Sequence, residues 1–264
     1  MPVLVTGGTG NVGRRVVARL RTAGQEVRVL SRHPAVTTTG VESAVADLST
    51  GEGVAAALQG VRAVVHCAGS ARGDDAKAQV LVRAAAAAGV THLVHISVVG
   101  VDRIPLRSRI DRALFGYYGA KLAAEEVVAG SGLPYSLLRA TQFHDLVATL
   151  VRQLAKLPVV PVPNWSFQPV DAGDVADRLT ALALGAPSGR VPDLGGPQRY
   201  PLTDLVRSYL DATSRRRPLL PIRLPGEAAR AFAAGANLAG DDATLGSNTW
   251  EQFLTNHVDL SPHR

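Results

Sequence analysis

The chain opens Met-Pro-Val-Leu-Val-Thr-Gly-Gly-Thr-Gly-Asn-Val-Gly, and this stretch constrains the fold more than any other. Val3–Val5 is a short apolar run of the kind that forms a buried strand. It breaks into a turn carrying Gly7, Gly10 and Gly13, and a helical pattern follows. Strand, glycine turn and helix in that order make a site for the pyrophosphate of a dinucleotide. Glycine lets the backbone turn tightly and lets a phosphate approach without meeting a Cβ. The helix start offers backbone N–H groups and a positive dipole end to the anion. The spacing is Gly7-x-x-Gly10-x-x-Gly13, which departs from the GxGxxG of typical dehydrogenases.

Two periods alternate through the first half. Val3–Val5, Glu26–Leu30, Val41–Ala46, Ala63–His66, Leu93–Ile96 and Tyr135–Leu138 read as strands. Between them Asn11–Ala23, Gly51–Leu58, Ala76–Ala88 and Phe115–Ala129 read as helices. Val12, Val16, Val17 and Leu20 share one face of the first helix, and Gly24 ends it. This rhythm predicts an α/β fold with a doubly wound parallel sheet and right-handed crossovers. After Arg139 the rhythm changes. Gln142–Lys156, Ala172–Leu184, Thr203–Thr213 and Pro225–Ala236 read as helices, the second with Asp171 as N-cap. Leu157–Pro169 is proline-rich and reads as a loop with short strands, and Val191–Leu194 as a strand. The expected organisation is a dinucleotide-binding core over residues 1–141. Residues 142–264 then form a mixed region, partly returning to the sheet and partly building a small C-terminal substrate-side lobe.

Composition narrows the class. At 264 residues, with 46% hydrophobic and 19% charged residues, the chain suits a globular enzyme with a sizeable core. The net charge of +6 raises the question of nucleic acid. Yet the only basic block is Arg215-Arg216-Arg217, and no aromatic-and-basic stripe accompanies it, so no nucleic acid is expected. The single cysteine, Cys67, excludes an internal disulfide and points to a reducing, cytoplasmic setting. A first strand at residue 3 leaves no room for a charged leader, and no apolar run is long enough to span a membrane. The seven histidines are dispersed and no metal-ligand spacing occurs, so no metal is expected.

The end of the second strand distinguishes the two dinucleotides. NAD sites usually place an acid there, for the ribose hydroxyls. Here the residues are Ser31-Arg32-His33. An arginine pairs with a 2′-phosphate that a carboxylate would repel, so Arg32, with Ser31, is the candidate NADP selector. Asp47-Leu48 comes after the third strand, where the acid could meet the adenine amino group or cap the next helix. Cys67-Ala68-Gly69 comes after the fourth, and small residues there let a cofactor ribose pass close to the backbone. Cys67 itself reads as a small buried filler.

Chemistry centres on Tyr117 and Lys121, four apart and so on one face of a helix. A nearby ammonium favours phenolate and is expected to bring the tyrosine pKa down toward working pH. Such a tyrosine gives a proton to a carbonyl being reduced. Ser97, at the carboxyl end of the fifth strand, is placed to hydrogen-bond the same oxygen. Asp102–Gly116, with its four arginines, reads as a lid or entry loop. His144 and Asp145 are minor candidates facing the cleft, and Trp165 and Phe167 either stack on a flat ring or fill the core.

Thr6-Gly-Gly-Thr-Gly-Asn-Val-Gly13, Ser31-Arg32, Asp47-Leu48, Tyr117-Tyr-Gly-Ala-Lys-Leu-Ala-Ala-Glu125 and Leu138-Arg-Ala-Thr-Gln-Phe143 together resemble the short-chain dehydrogenase/reductase superfamily. Within it the chain looks most like the atypical branch near the NmrA-like and isoflavone-reductase-like proteins. The resemblance implies a Rossmann-like fold and NADP(H) binding. It adds Thr9, Asn11 and Val12 to the cofactor turn, gives Lys121 the nicotinamide ribose, and puts Ala140, Thr141 and Phe143 on the nicotinamide-side wall. By family analogy alone, the Phe115–Ala129 helix could pack in a homodimer. Two departures stand out: Cys67 replaces the familiar Asn after the fourth strand, and Ser97 stands alone before Val98-Val99. The branch mixes reductases with nucleotide sensors. The expected function is an NADP(H)-dependent oxidoreductase reducing a carbonyl or conjugated double bond of a small organic substrate. The alternatives are a redox sensor without turnover, and an epimerase or dehydratase that uses the nucleotide transiently.

Overall fold

The computed structural model describes residues 1–34, 39–69 and 73–257, the side chain of His257 excepted. The chain runs β1 (Val3–Thr6), α1 (Asn11–Thr22), β2 (Val27–Ser31), β3 (Val41–Val45), α2 (Val54–Ala57), β4 (Ala63–His66), α3 (Asp74–Ala87) and β5 (His92–Val98). It continues through α4 (Arg109–Ala129), β6 (Tyr135–Ala140), α5 (His144–Leu154), β7 (Val160–Pro163), β8 (Ser166–Phe167), α6 (Ala172–Leu184) and β9 (Gly189–Arg190). The last part holds β10 (Leu194–Gly195), β11 (Tyr200–Pro201), α7 (Leu202–Ala212), β12 (Leu219–Ile222), α8 (Glu227–Ala233), β13 (Thr244–Leu245) and α9 (Trp250–His257). These elements fall into two compact units. The first is Met1–Ser97, Gly116–Arg139 and Ala172–Pro192; the second is Val98–Phe115, Ala140–Asp171 and Asp193–Arg264. The chain therefore passes between them several times.

In the first unit the strands lie in the order β3-β2-β1-β4-β5-β6, with β9 beside β6. The pairings given are parallel: Val3 opposite Val27 and Ala63, Val27 opposite Val41, His66 opposite His95. The order reverses between β1 and β4, which is the switch point of a doubly wound sheet. One face meets α2, α3 and the end of α4. There Leu4, Val64 and Leu93 pack with Val54, Leu81, Ala85 and Val128 into one buried cluster. Helix α1 buries Val12, Val16 and Leu20 and packs against α6, where Arg19 also pairs with Asp177. Glu125 of α4 takes a two-pronged hydrogen bond from Arg139 of β6, Nε to Oε1 at 2.9 Å and Nη2 to Oε2 at 2.7 Å. Both side chains are buried, so the pair fixes the helix on the sheet.

The second unit is built from short pairings: β7 with β12 and β10 with β13 in parallel, β8 with β11 antiparallel. Leu194 pairs with Ala140. Helix α7 packs on α5 and on α9. Trp165 sits 5.0 Å from Phe232 and 5.7 Å from Phe115, and Phe167 lies 5.7 Å from Phe232. Of the two readings for Trp165 and Phe167, core packing is the one seen. His144 is buried and stacks on Phe253 at 5.0 Å, so it is a packing residue, while Asp145 is exposed.

Three sequence expectations need correction. Asp102–Gly116 is not all loop, because α4 already starts at Arg109. Ser108 and Asp111 form a reciprocal cap: Asp111 N–H donates to Ser108 Oγ at 3.0 Å, and Ser108 N–H donates to Asp111 Oδ2 at 3.1 Å. Two of the four arginines there are held by carbonyls, Arg103 by Leu238 and Arg112 by Arg107, and Arg107 pairs with Glu227 at 3.6 Å. Of the strand expected at Val191–Leu194 only Leu194 is in a strand, at the start of β10, with β9 ending just before Val191; and α9, anchored by the buried Trp250, was not anticipated.

Candidate cofactor and active site

After β1 the chain turns on Gly7, whose φ of +66° is left-handed. A Cβ at Gly7 would lie 2.7 Å from the Ala68 nitrogen, so β1 and the loop after β4 meet backbone to backbone. Gly10 N–H donates to the Gly7 carbonyl at 2.9 Å, and Arg14 N–H to the Gly10 carbonyl at 3.0 Å. Gly13 packs on the same turn so closely that a Cβ would fall 2.1 Å from the Gly7 oxygen. No side chain caps α1 at Gly10, so its first-turn N–H groups are aimed at whatever binds before it. Asn11 turns its side-chain oxygen back to Arg14 and Arg15, and the Val12 side chain is in the core.

A cavity of about 410 Å³ opens at the carboxyl ends of β1–β4, within the usual size range of ligand pockets. Its walls are Gly7, Thr9 and Gly10 of the turn, then Leu30, Ser31 and Arg32 after β2. Ala46, Asp47, Leu48 and Ser49 come after β3, and Cys67, Ala68 and Gly69 after β4. Ser31 Oγ donates to the His33 carbonyl and shapes the turn that presents the exposed Arg32. Asp47 accepts the Ser49 N–H at 2.7 Å; this bond holds its carboxyl below the usual carboxylate range, aided by Arg32 and Lys77. Asp47 thus caps a local turn, while α2 starts later, from Gly53. Desolvation pushes the half-buried Cys67 thiol up to about 12, which disfavours a nucleophile; the side chain stands on the cavity wall and is not a fully buried filler. Lys77 of α3 also lines the cavity and was missed in the sequence. The expected helix start at Ala76 left Asp74 outside the element. The structure starts α3 at Asp74, and Lys77 is three residues on, one turn along the same face.

A dinucleotide fits these residues. The glycine cradle would be filled by any Cβ, the helix start is uncapped, and Arg32 stands at the end of β2 with no acid in its place.

At Gly69 the cavity adjoins a second cluster of the same unit. Lys121 Nζ lies 3.0 Å from Asp74 Oδ2, and a Cβ on Gly69 would be 2.8 Å from that ammonium. The ammonium is 5.9 Å from the centre of the Tyr117 ring, on its face. Tyr117 is 39% exposed, whereas Lys121 is buried. The Tyr117 phenol is pushed up to about 12 by desolvation and by the Asp74 carboxylate. This reverses the sequence expectation: the Lys121 charge is matched by Asp74 and does not make the phenol acidic.

Ser97 is buried and its hydroxyl has no hydrogen-bond partner among the described residues. It lies two residues beyond His95 on β5, hence on the same face of the sheet. His95 stacks on His66, with ring centres 5.2 Å apart and planes inclined by 25°. Ala68 N–H donates to Thr6 Oγ1 at 3.2 Å, and the same hydroxyl is hydrogen-bonded to His66 Nδ1 at 2.7 Å. Burial, reinforced by Lys121, lowers His66 to about 3 and His95 well below its ordinary value. Both rings are neutral at working pH. Ala140, Thr141 and Phe143 belong to the second unit. There the Ala140 carbonyl accepts the Val99 N–H at 3.0 Å, Thr141 Oγ1 donates to the Gln168 carbonyl, and Phe143 precedes α5.

The neutral histidines carry a stability consequence. Protonation of His66 is easier in the unfolded chain than in the folded one. Its contribution is therefore complete above about pH 6.5 and is lost as pH falls toward 3. At about 1.4 kcal/mol per pH unit the loss amounts to at most about 5 kcal/mol. Asp47 and Asp111 sit below the usual carboxylate range, so their losses begin at lower pH. Urea unfolding between about pH 7 and 4.5 should show falling stability in the parent and a flatter profile in His66→Asn. Parallel profiles would remove His66 from the acid response.

A family profile described as NAD(P)H-binding matches residues 7–183. A photosystem II assembly factor, Ycf39 of Trieres chinensis, is 28% identical over 90% of this chain and 79% of its own. A (4-alkanoyl-5-oxo-2,5-dihydrofuran-3-yl)methyl phosphate reductase of Streptomyces griseus is 32% identical over 74% of this chain and 68% of its own. The structure of an NADPH-dependent quinone oxidoreductase from Escherichia coli, complexed with NADPH, superposes with a TM-score of 0.77 at 19% identity, covering 96% of this chain and 99% of that one. The doubly wound, Rossmann-like fold is thereby upheld, and the profile places the chain among NAD(P)H-binding proteins. No helix among the described residues is long and apolar enough to cross a membrane, and no cluster of three or more metal-ligating side chains occurs among them. With its glycine turn, uncapped helix and matching profile, the chain belongs to the NAD(P)H-binding family.

Proposed function

We propose that this protein is an NADP(H)-dependent oxidoreductase that reduces a carbonyl or a conjugated double bond of a small organic molecule. The observation that carries this reading is the Tyr117–Lys121 pair beside Gly69, at the edge of the cavity built on the glycine turn. Bound NADPH would supply the hydride. The backbone from Gly10 to Gly13 holds the pyrophosphate, and Arg32 with Ser31 takes the 2′-phosphate. Tyr117, a neutral phenol up to about pH 12, gives the proton to the substrate atom that gains negative charge. Ser97 orients that oxygen with its otherwise unpartnered hydroxyl. Lys121 anchors the nicotinamide ribose. The Streptomyces relative, named as a reductase, favours turnover.

A second reading rests on the Trieres relative, named as an assembly factor: nucleotide binding that reports cofactor state without turnover. Oxidation of NADPH by a panel of quinones, enones and ketones separates the two. Turnover of at least one is expected. Tight binding without oxidation by any of them would move the assignment to the sensor.

Cofactor choice is tested at Arg32. A charge-assisted phosphate contact is worth about 1.5–3 kcal/mol, so Arg32→Ala should weaken NADPH about 10–100-fold and leave NADH nearly unchanged. Equal loss for both cofactors would take the 2′-phosphate away from Arg32.

A further inference from the structure

We propose that Asp74 is a positioning residue of this site: it holds the Lys121 ammonium under Gly69 and thereby keeps Tyr117 a neutral phenol, poised to give a proton. The proposal rests on Tyr117 being the proton donor and adds what sets its protonation state.

The geometry is compact. Asp74 Oδ2 and Lys121 Nζ are 3.0 Å apart, and Asp74 is 3% and Lys121 4% exposed. A Cβ on Gly69 would come within 2.8 Å of the ammonium and 3.5 Å of the carboxylate, so the loop after β4 lies directly on the pair. Tyr117 meets the same ammonium through its ring face, 5.9 Å from the ring centre. In a low-dielectric site a charge already matched at 3.0 Å offers a phenolate little, and the carboxylate itself repels one. The other ionisable groups around Lys121 do not alter this balance. His66 of β4 and His95 of β5 are neutral, Cys67 is a thiol, and Glu125 one turn along α4 is closed by Arg139. Lys77 of α3 lines the cavity and adds positive charge, which opposes the effect of Asp74 and does not produce it. The raised Tyr117 pKa, caused by desolvation and Asp74, agrees with the geometry.

Removing the carboxylate leaves a buried ammonium with an uncompensated charge, and the phenolate becomes its nearest available partner. The phenol of the variant then ionises at lower pH than that of the parent.

The test is a tyrosine-labelled 13C NMR titration of the full-length protein, with the Tyr117 resonance assigned by its loss in Tyr117→Phe. The parent resonance should stay unshifted up to about pH 10.5, and Asp74→Asn should bring its midpoint down by at least about one pH unit, below pH 10 or so. Asp74→Glu should restore the parent behaviour, which a merely structural role would not require. Reductive kcat should gain an alkaline limb in Asp74→Asn at the same midpoint. If Asp74→Asn does not fold, the Asp74→Asn/Lys121→Met double variant removes both charges, and its phenol should titrate below that of the parent. An Asp74→Asn phenol that is still unshifted at about pH 10.5, or a double variant that titrates at or above the parent, overturns the proposal. The titration needs no substrate, so it fails or succeeds separately from the reductase reading, which turnover of Tyr117→Phe tests.

Discussion

Gly13→Ala weakens NADPH binding by about 100-fold or more. The new Cβ would lie 2.1 Å from the Gly7 oxygen and 2.8 Å from the Gly8 Cα, both backbone atoms that no rotamer can move. The turn must open or α1 must shift, and either moves the N–H groups of the helix start off the phosphate. Losing two charge-assisted hydrogen bonds of about 1.5–3 kcal/mol each gives the stated weakening. The overpacking itself should cost about 1–3 kcal/mol of stability, so a lowered Tm accompanies the lost affinity. Fluorescence titration with NADPH and a thermal melt check both effects. Parent-like affinity in Gly13→Ala would show that the pyrophosphate is not held at this turn.

Tyr117→Phe lowers reductive turnover about 10²–10⁴-fold, the contribution of a placed general acid, while NADPH affinity stays within a few-fold of the parent. The phenol is positioned for that outcome by its partial exposure beside a buried ammonium. Desolvation and Asp74 keep it protonated across the working pH range, so the loss should be uniform from about pH 6 to 9. Its neighbour Tyr118 is buried, 6.0 Å from Tyr117 edge to face, and cannot take over the role. Stopped-flow oxidation of NADPH under single-turnover conditions reads the effect on the reducing step. Equal rates in the two proteins would exclude Tyr117 as the proton donor.

The core of the fold was legible because its determinants are local. Val3–Val5, the glycine turn and the 3.6-residue pattern of α1 each announce themselves within a few residues, and Ser31-Arg32 marks the end of β2. The start of α4 was equally local, in the reciprocal pair Ser108 and Asp111, but the surrounding arginines suggested a loop. What sequence reasoning missed depends on distance. Nothing near Tyr117 and Lys121 in the chain indicates that Asp74, on another helix, matches the ammonium. Without that carboxylate the lysine argues for an acidic phenol; with it the opposite holds. Gly69 gives the same lesson. Read as room for a ribose, it also leaves the Lys121 ammonium space that a Cβ would crowd at 2.8 Å.

Hydride transfer itself is the most direct measurement. NADPH deuterated at either face of the nicotinamide C4 is incubated with the protein and a panel of enones and ketones, whose products keep the label on carbon, and the products are weighed by mass spectrometry. A product carrying one cofactor-derived deuterium, formed far more slowly by Tyr117→Phe, is the expected result. Tight NADPH binding with the deuterium retained on the cofactor across the whole panel would contradict it.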